Sequence, residues 1–344
     1  MINVLLVDDS AVIRRMFARV LTAHKDIRIV GEAPDPYVAR DLIVEKKPDV
    51  MVLDIEMPRM DGLTFLRRLM QHYPLPVVVC STLTVRGGEV AMEAMDAGAL
   101  GVVCKPSQDH NLAAMSPELV AAVRSAAGAK VRPRAATPPP PPRPERALRM
   151  PARGIVAIGA STGGTVAIEN ILRALPENAP PTVIVQHMPA YMTPLFAERL
   201  SKMSRMRARE AKDGDALETG LALVAPGGKH LLVERRPNGL FARIKDGPAV
   251  NGHRPSADVL FTSVARAVGR AAVGIILTGM GKDGARGLLD MRNSGAHTVA
   301  QDESSCVVYG MPKAAVDIGA AAEIAELSAI PSRLVRLAEA AAAA

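Results

Sequence analysis

Tryptophan is absent from the 344 residues, and aromatic side chains make up only 3%. Cores must therefore be built from Ala, Val, Leu, Ile and Met, which suits layered helix-and-sheet folds better than an aromatic-rich β-sandwich. Cysteine is almost as scarce. Cys80, Cys104 and Cys306 are too few and too scattered for a disulfide framework or a zinc site. Long apolar runs are missing too, with no stretch of about 18, so no membrane insertion is expected. The opening MINVLLVDDS carries acids at positions 8 and 9 and lacks the basic start of a secretory signal. A reducing cytoplasm is the expected location.

Apolar material is plentiful, at 49% of residues against 22% charged. The length suggests about two domains, each able to bury a core. The net charge of +7 raises the question of nucleic acid. Residues 130–150 hold six of the 42 basic side chains and one of the 35 acidic ones. That leaves 36 basic against 34 acidic residues elsewhere, no basic domain face, and no expectation of a nucleic-acid partner. The same segment contains Pro138 to Pro142, which can join neither a helix ladder nor a central strand. A semi-rigid polyproline II spacer is expected there. The expected boundaries are 1–125, a Pro/Arg-rich linker at 126–152, and 153–344.

In the first segment, strand-like runs at 2–7, 27–33, 49–54, 76–81 and 100–105 alternate with helical patterns at 11–22, 36–46, 62–71, 87–97 and 116–126. Five strands with intervening helices imply a parallel sheet with right-handed crossovers, and a site at the strands' carboxyl ends. Asp8 and Asp9 follow the first strand, Asp54 ends the third, Ser81 and Thr82 follow the apolar run of the fourth, and Lys105 ends the fifth. Three carboxylates gathered at one edge repel one another unless a hard cation sits among them, and Mg²⁺ takes such oxygen ligands. One carboxylate can then attack a phosphoryl donor, with the lysine offsetting phosphoryl charge. A lone aspartate at a strand end is ordinarily a cap or turn residue. Five positions in the right order are not explained that way.

The strings VDDS (7–10), VLDIEMPRMDG (52–62), CSTLT (80–84) and CKP (104–106) resemble a response-regulator receiver domain. The resemblance implies a flavodoxin-like fold with strand order 2-1-3-4-5. It implies Asp54 as phosphoacceptor, Ser81 as switch hydroxyl and Lys105 as the phosphoryl contact. Asp8, Asp9, Asp54 and the backbone carbonyl of Glu56 are the implied Mg²⁺ ligands.

The second segment opens with a β-like run, 155–158, then the turn GASTGG (159–164), then helical spacing over 165–175. GASTG matches G-x-S-x-G, the strand-to-helix nucleophile elbow, and Ser161 would project near exposed helix amides. A P-loop needs a Lys that is absent, and Ser161 fills the second glycine position of a dinucleotide fingerprint. Both nucleotide readings therefore lose, although a plain structural turn stays open. His187 lies just beyond the second buried-type strand in TVIVQHMP (182–189), with His253 as the runner-up base. Asp283 follows the strand-like VGIIL in TGMGKDG and can orient an imidazole. Capping its own following helix is the plainer role for it.

GASTGG, QHMP, FAERL (196–200), APGGKHL (225–231), HRPSADVLF (253–261), ILTGMGKDGA (276–285) and AQDESSCVVYGMPKAA (300–315) together resemble the catalytic domain of the CheB protein-glutamate methylesterase family. The resemblance implies a Rossmann-like three-layer αβα domain, with Ser161 as nucleophile, His187 as base and Asp283 as orienting acid. Thr162 and the backbone amide of Met280 become the oxyanion-hole candidates. Hydrolysis of glutamate methyl esters on chemoreceptors, and deamidation of receptor glutamines, are implied, with no cofactor for the esterase. Methylated chemoreceptors and a histidine kinase of the CheA type are the implied partners. Met192 stands where the family commonly has Phe and is expected to alter the cleft wall at most.

The two-domain layout adds an expectation that the unphosphorylated receiver covers the Ser161 cleft until Asp54 is phosphorylated. A response regulator with a non-catalytic output such as DNA binding is the rival class. The near-neutral charge outside the linker and the glycine-rich strand–turn–helix units suit it poorly.

Overall fold

The computed structural model describes residues 1–58, 60–82, 85–105, 112–131 and 154–334. The chain divides into two compact units, Met1–Pro138 and Pro139–Ala344, each described by itself. The expected polyproline segment, most of the 126–152 linker and the alanine-rich terminal stretch lie outside the described residues.

The first unit runs β1 (Ile2–Val7), α1 (Ala11–Thr22), β2 (Ile27–Ala33), α2 (Pro36–Lys46), β3 (Val50–Asp54), α3 (Gly62–His72), β4 (Val77–Ser81), α4 (Val85–Ala97), β5 (Gly101–Cys104) and α5 (Leu112–Ala127). The helices start where side chains can replace missing backbone partners. Ser10 accepts from Ile13, Asp35 from Tyr37 and Val38, and Asp61 from Thr64. All strand pairs are parallel, in the order β2-β1-β3-β4-β5. β3 and β4 are buried along their whole length, as strands of a parallel sheet are when both faces are covered. Parallel pairing brings the ends of β1, β3, β4 and β5 to one edge of the sheet. α5 begins four residues earlier than expected and carries Pro117 internally.

The second unit contains β6 (Ile155–Ala160), α6 (Gly164–Ala174), β7 (Thr182–Gln186), α7 (Thr193–Met203), β8 (Arg207–Glu210), β9 (Leu221–Val224), β10 (His230–Arg236), β11 (Gly239–Lys245), α8 (Ala257–Ala267), β12 (Ala272–Ile276), α9 (Ala285–Asn293), β13 (His297–Gln301), α10 (Met311–Asp317) and β14 (Glu323–Ala325). Seven strands form a parallel sheet in the order β14-β13-β12-β6-β7-β9-β8, and β10 pairs with β11 as an antiparallel hairpin. The chain leaves β6 toward β7 on one side and later returns to β12 on the other. That reversal makes the carboxyl end of β6 a topological switch point, the usual place for a cleft in an open parallel sheet.

β6 extends two residues beyond the expected strand, so Gly159 lies in the sheet rather than in the turn. A Cβ there would come within 2.8 Å of the Ala257 Cβ and 3.0 Å of the Phe261 ring. Its missing side chain thus lets α8 lie close against β6, with Phe261 fully buried. The same packing brings the start of α8 to the carboxyl end of β6. Among the described residues, no helix is long and apolar enough to cross a membrane.

Candidate active site

Ser161 is the first residue after β6, and His187 is the first after β7. The last pair between these strands is Ala160 with Gln186, so Ser161 and His187 leave the sheet side by side. The His187 N–H donates to the Ala160 carbonyl at 3.1 Å, and the Ser161 N–H donates to the Thr278 carbonyl at 3.0 Å. Ser161 is thereby tied to the loop after β12 on one side and to β7 on the other. Gln186, buried at the end of β7, donates through Nε2 to the carbonyls of Ser161 at 2.9 Å and His187 at 3.2 Å. Gln186 was not singled out from the sequence, although a polar residue closing an apolar strand beside a candidate base is a usable signal.

The loop after β12 approaches Ser161 closely. A Cβ on Gly279 would lie 2.7 Å from the Ser161 Cβ, so only glycine fits there. Thr278 holds that loop: its hydroxyl donates to the Thr162 carbonyl at 2.9 Å and accepts from the Val308 N–H at 2.9 Å. Next along, Met280 is 40% exposed, and its N–H makes no hydrogen bond among the described residues. Thr162 is buried. Both oxyanion-hole candidates therefore flank the serine, one following it directly and the other on the facing loop.

His187 Nε2 and Asp283 Oδ2 are 2.9 Å apart. Asp283 is fully buried, and four more groups converge on its carboxylate. The Ser256 hydroxyl donates to Oδ1 at 2.6 Å, Asn251 Nδ2 to Oδ1 at 3.1 Å, the Ala257 N–H to Oδ2 at 2.7 Å and the Asp258 N–H to Oδ1 at 3.4 Å. Burial alone would push this carboxyl up. The hydrogen bonds from His187, Ser256 and Asn251 and the attraction of His187 outweigh it and hold the group well below the usual carboxylate range. An ionised carboxylate only accepts, so Nε2 carries the ring proton and the lone pair sits on Nδ1. Nδ1 is buried and has no hydrogen-bond partner. Among the described residues the Ser161 hydroxyl makes no hydrogen bond to that ring. Such bonds are often long before substrate binds and tighten in the Michaelis complex.

Two expectations need correction. Asp283 does not cap its own helix, because Gly284 is the N-cap of α9 and offers no side chain. It instead receives the first amides of α8, whose dipole favours the anion. His253, the runner-up base, stacks on His187 with ring centroids 3.8 Å apart and planes 7° from parallel. Burial, with the charge of His187 adding to it, lowers its pKa to about 4, so it is neutral near pH 7. Met192 is buried at the start of α7.

The first unit gathers its own polar group at the sheet edge. Lys105 Nζ lies 2.7 Å from Asp54 Oδ2 and 3.0 Å from Asp8 Oδ2. Burial raises Asp54 to about 6 against the attraction of Lys105. Burial also opposes the ammonium, but the two carboxylates prevail and lift Lys105 above its ordinary value. Asp8, Asp9 and Asp54 offer carboxylate oxygens that all lie within 4.8 Å of one another. A set of hard oxygen donors at that spacing fits a divalent cation such as Mg²⁺. The Glu56 N–H donates to Asp54 Oδ1 at 3.1 Å, which fixes the loop that would carry its carbonyl. Ser81 is buried at the end of β4.

Comparison with known proteins matches residues 156–334 to the family described as CheB methylesterase, and residues 4–116 to the response regulator receiver domain. The chain is 54% identical to "Protein-glutamate methylesterase/protein-glutamine glutaminase 4" of Anaeromyxobacter dehalogenans, covering 98% of this chain and 95% of that protein. It is 49% identical to "Protein-glutamate methylesterase/protein-glutamine glutaminase 2" of Syntrophus aciditrophicus, covering 98% and 99%. Among solved structures, the crystal structure of the Thermotoga maritima CheB methylesterase catalytic domain aligns with a TM-score of 0.53 at 36% identity. It covers 54% of this chain and 98% of that one.

Proposed function

The chain belongs to the CheB methylesterase family, and from that premise we propose that Ser161, His187 and Asp283 form the triad with which it hydrolyses glutamate methyl esters. It is a protein-glutamate methylesterase and protein-glutamine glutaminase regulated by phosphorylation through its receiver domain, and it acts in chemotaxis adaptation. The observation that carries the triad is the 2.9 Å bond from His187 Nε2 to a fully buried, five-fold hydrogen-bonded Asp283, beside the serine that leaves the adjacent strand.

The chemistry follows from that arrangement. Ser161 Oγ attacks the side-chain carbonyl carbon, and its proton passes to His187 Nδ1. Asp283 keeps the ring in the tautomer that leaves Nδ1 free and stabilises the imidazolium as it forms. The Met280 N–H and Thr162 stabilise the tetrahedral oxyanion, a kind of contribution worth about 10²–10³ in rate per donor. Collapse of that intermediate expels methanol, which takes the proton from Nδ1 and leaves an acyl-serine. Water attacks the acyl carbon, gives its proton to Nδ1, and Ser161 departs with that proton as the free carboxylic acid forms. A glutamine side chain enters the same route and releases ammonia.

In the receiver domain, Asp54 is the proposed phosphoacceptor, Ser81 the switch hydroxyl and Lys105 the phosphoryl contact. Asp8, Asp9, Asp54 and the carbonyl of Glu56 would hold Mg²⁺, which when bound neutralises charge on the phosphoryl group. The domain boundaries of 1–125, 126–152 and 153–344 belong to the same reading. So do methylated chemoreceptors as substrate, a histidine kinase of the CheA type as phosphoryl donor, and a cytoplasmic location.

The test is methanol release from methyl-labelled receptor membranes, with fluorophosphonate labelling alongside. Ser161→Ala should lose about 10⁴-fold or more in kcat and all labelling while remaining folded. Undiminished turnover or labelling in that variant rules Ser161 out as nucleophile.

A further inference from the structure

The dyad is gripped by a feature that a list of triad residues leaves out. Val250 and His253 form an isolated antiparallel bridge, with N–H donations in both directions at 3.0 and 2.9 Å. The two residues between them, Asn251 and Gly252, have φ of 52° and 83°. Positive φ at both central positions defines a type I′ turn, for which Asn-Gly is the preferred pair. This one turn touches both members of the dyad. Asn251 Nδ2 spans two carboxylates, at 3.1 Å from Asp283 Oδ1 and 2.6 Å from Asp258 Oδ2. The His253 ring lies flat on the His187 ring.

Its flanks are tied down. The buried His230 contacts the Pro248 carbonyl through Nε2 at 3.0 Å and accepts the Ser256 N–H on Nδ1 at 3.3 Å. Arg254 Nη1 donates to the Gly247 carbonyl at 2.7 Å, and the Gly228 N–H donates to the Arg254 carbonyl at 3.0 Å. The turn is therefore held by the start of β10 and the start of α8, both regular elements.

We propose that the Val250–His253 turn is the positioning device of the catalytic dyad, with Asn251 orienting the Asp283 carboxylate and His253 fixing the plane of the His187 imidazole. The inference rests on the triad proposed above and deepens it. With Oδ1 engaged by Asn251 and Ser256, Oδ2 is left facing Nε2. With one ring face covered by His253, rotation that would break the Nε2 bond is blocked and water is excluded from that face. Two restraints on one imidazole hold Nδ1 toward the serine before substrate arrives. Misplacement on the scale of an ångström costs about 10²-fold in rate, so such restraint has kinetic weight. Both residues act through the dyad; neither is assigned contact with substrate.

The test uses the full-length chain and methanol release from methyl-labelled receptor membranes. It compares His253→Ala, His253→Phe, Asn251→Ala and, as reference, Ser161→Ala. His253→Ala and Asn251→Ala should each lower kcat by about 10- to 100-fold, with KM within about twofold of wild type. His253→Phe keeps a flat ring and should recover most of the rate lost in His253→Ala. Proton NMR gives an independent readout. The far-downfield resonance of the proton between His187 and Asp283 should stay sharp in wild type and His253→Phe and broaden in His253→Ala. Wild-type kcat in both alanine variants overturns the proposal, as does a loss no larger than the loss of folded protein. A His253→Phe variant as slow as His253→Ala overturns the stacking role. If Ser161→Ala is inactive while the turn variants run at full speed, only the positioning role falls. If Ser161→Ala itself turns over, the triad falls and the turn has no dyad to position.

Discussion

Asp54 and Asp283 are both buried aspartates at the carboxyl edge of a parallel sheet, at 1% and 0% exposure, yet their acidities move in opposite directions. Burial pushes both up. Around Asp54 the counterweights are the Lys105 ammonium and one backbone amide, opposed by the neighbouring Asp8, and the group settles near 6. Around Asp283, five donors converge and reverse the sign. The lesson is that the number and aim of donors, not depth, set what a buried carboxylate can do. A carboxylate with few donors keeps lone pairs free to bind a cation or attack phosphorus. One with every lone pair engaged is a fixed negative charge that can only orient a neighbour. The two units apply the same strand-end rule to opposite ends.

That contrast can be broken most severely at Asp283. Asp283→Asn retains the shape but not the charge, and can stabilise the wrong imidazole tautomer. Its kcat for methanol release should fall about 10⁴-fold with circular dichroism unchanged. A fall of less than tenfold would show that the buried charge is dispensable. Asp54→Asn should instead spare the basal rate and remove the rise in rate that a small phosphoryl donor such as acetyl phosphate produces in the wild type. Stimulation that survives the substitution assigns the phosphoryl group to another residue.

The smallest effect sharpens the electrostatic side of the comparison. Because the folded pKa of His253 lies near 4, below the ordinary 6.5, the unfolded chain binds a proton that the folded chain refuses between those values. Stability should therefore decline as pH falls from about 6.5 to about 4, through this group facing His187 and Asp283. His253→Phe should flatten that decline, measured as denaturation midpoints at pH 7 and pH 5. An equal decline in the variant would place its origin elsewhere.

Much of this architecture was legible beforehand because it rests on local rules. The five strands of the first unit and the edge bearing Asp8, Asp9, Asp54, Ser81 and Lys105 follow from apolar runs alternating with capped helices, and their order was implied by the resemblance to receiver domains. In the second unit the turn after β6 was readable from its glycines. The strands β8 to β11 and β13 to β14 were not read. β8, with the sequence RARE, is a charged edge strand with no apolar run to find. The β10–β11 hairpin did carry a signal, the Pro237-Asn238 pair that forms its two-residue turn, with Gly239 directly after it.

What sequence alone determined is the chemistry available: a serine on a tight turn, an imidazole at a strand end, and acids grouped with a lysine. Those follow from residue identity and from periodicities that span only a few positions. Tertiary structure alone decided which partners each group has. The amides of α8, Asn251 and Ser256 lie 25 to 32 positions from Asp283 along the chain. His253 reaches His187 only because its turn is anchored to β10 and α8. A carboxylate's charge state depends on the field of everything folded around it, and that field exists only once the distant segments meet.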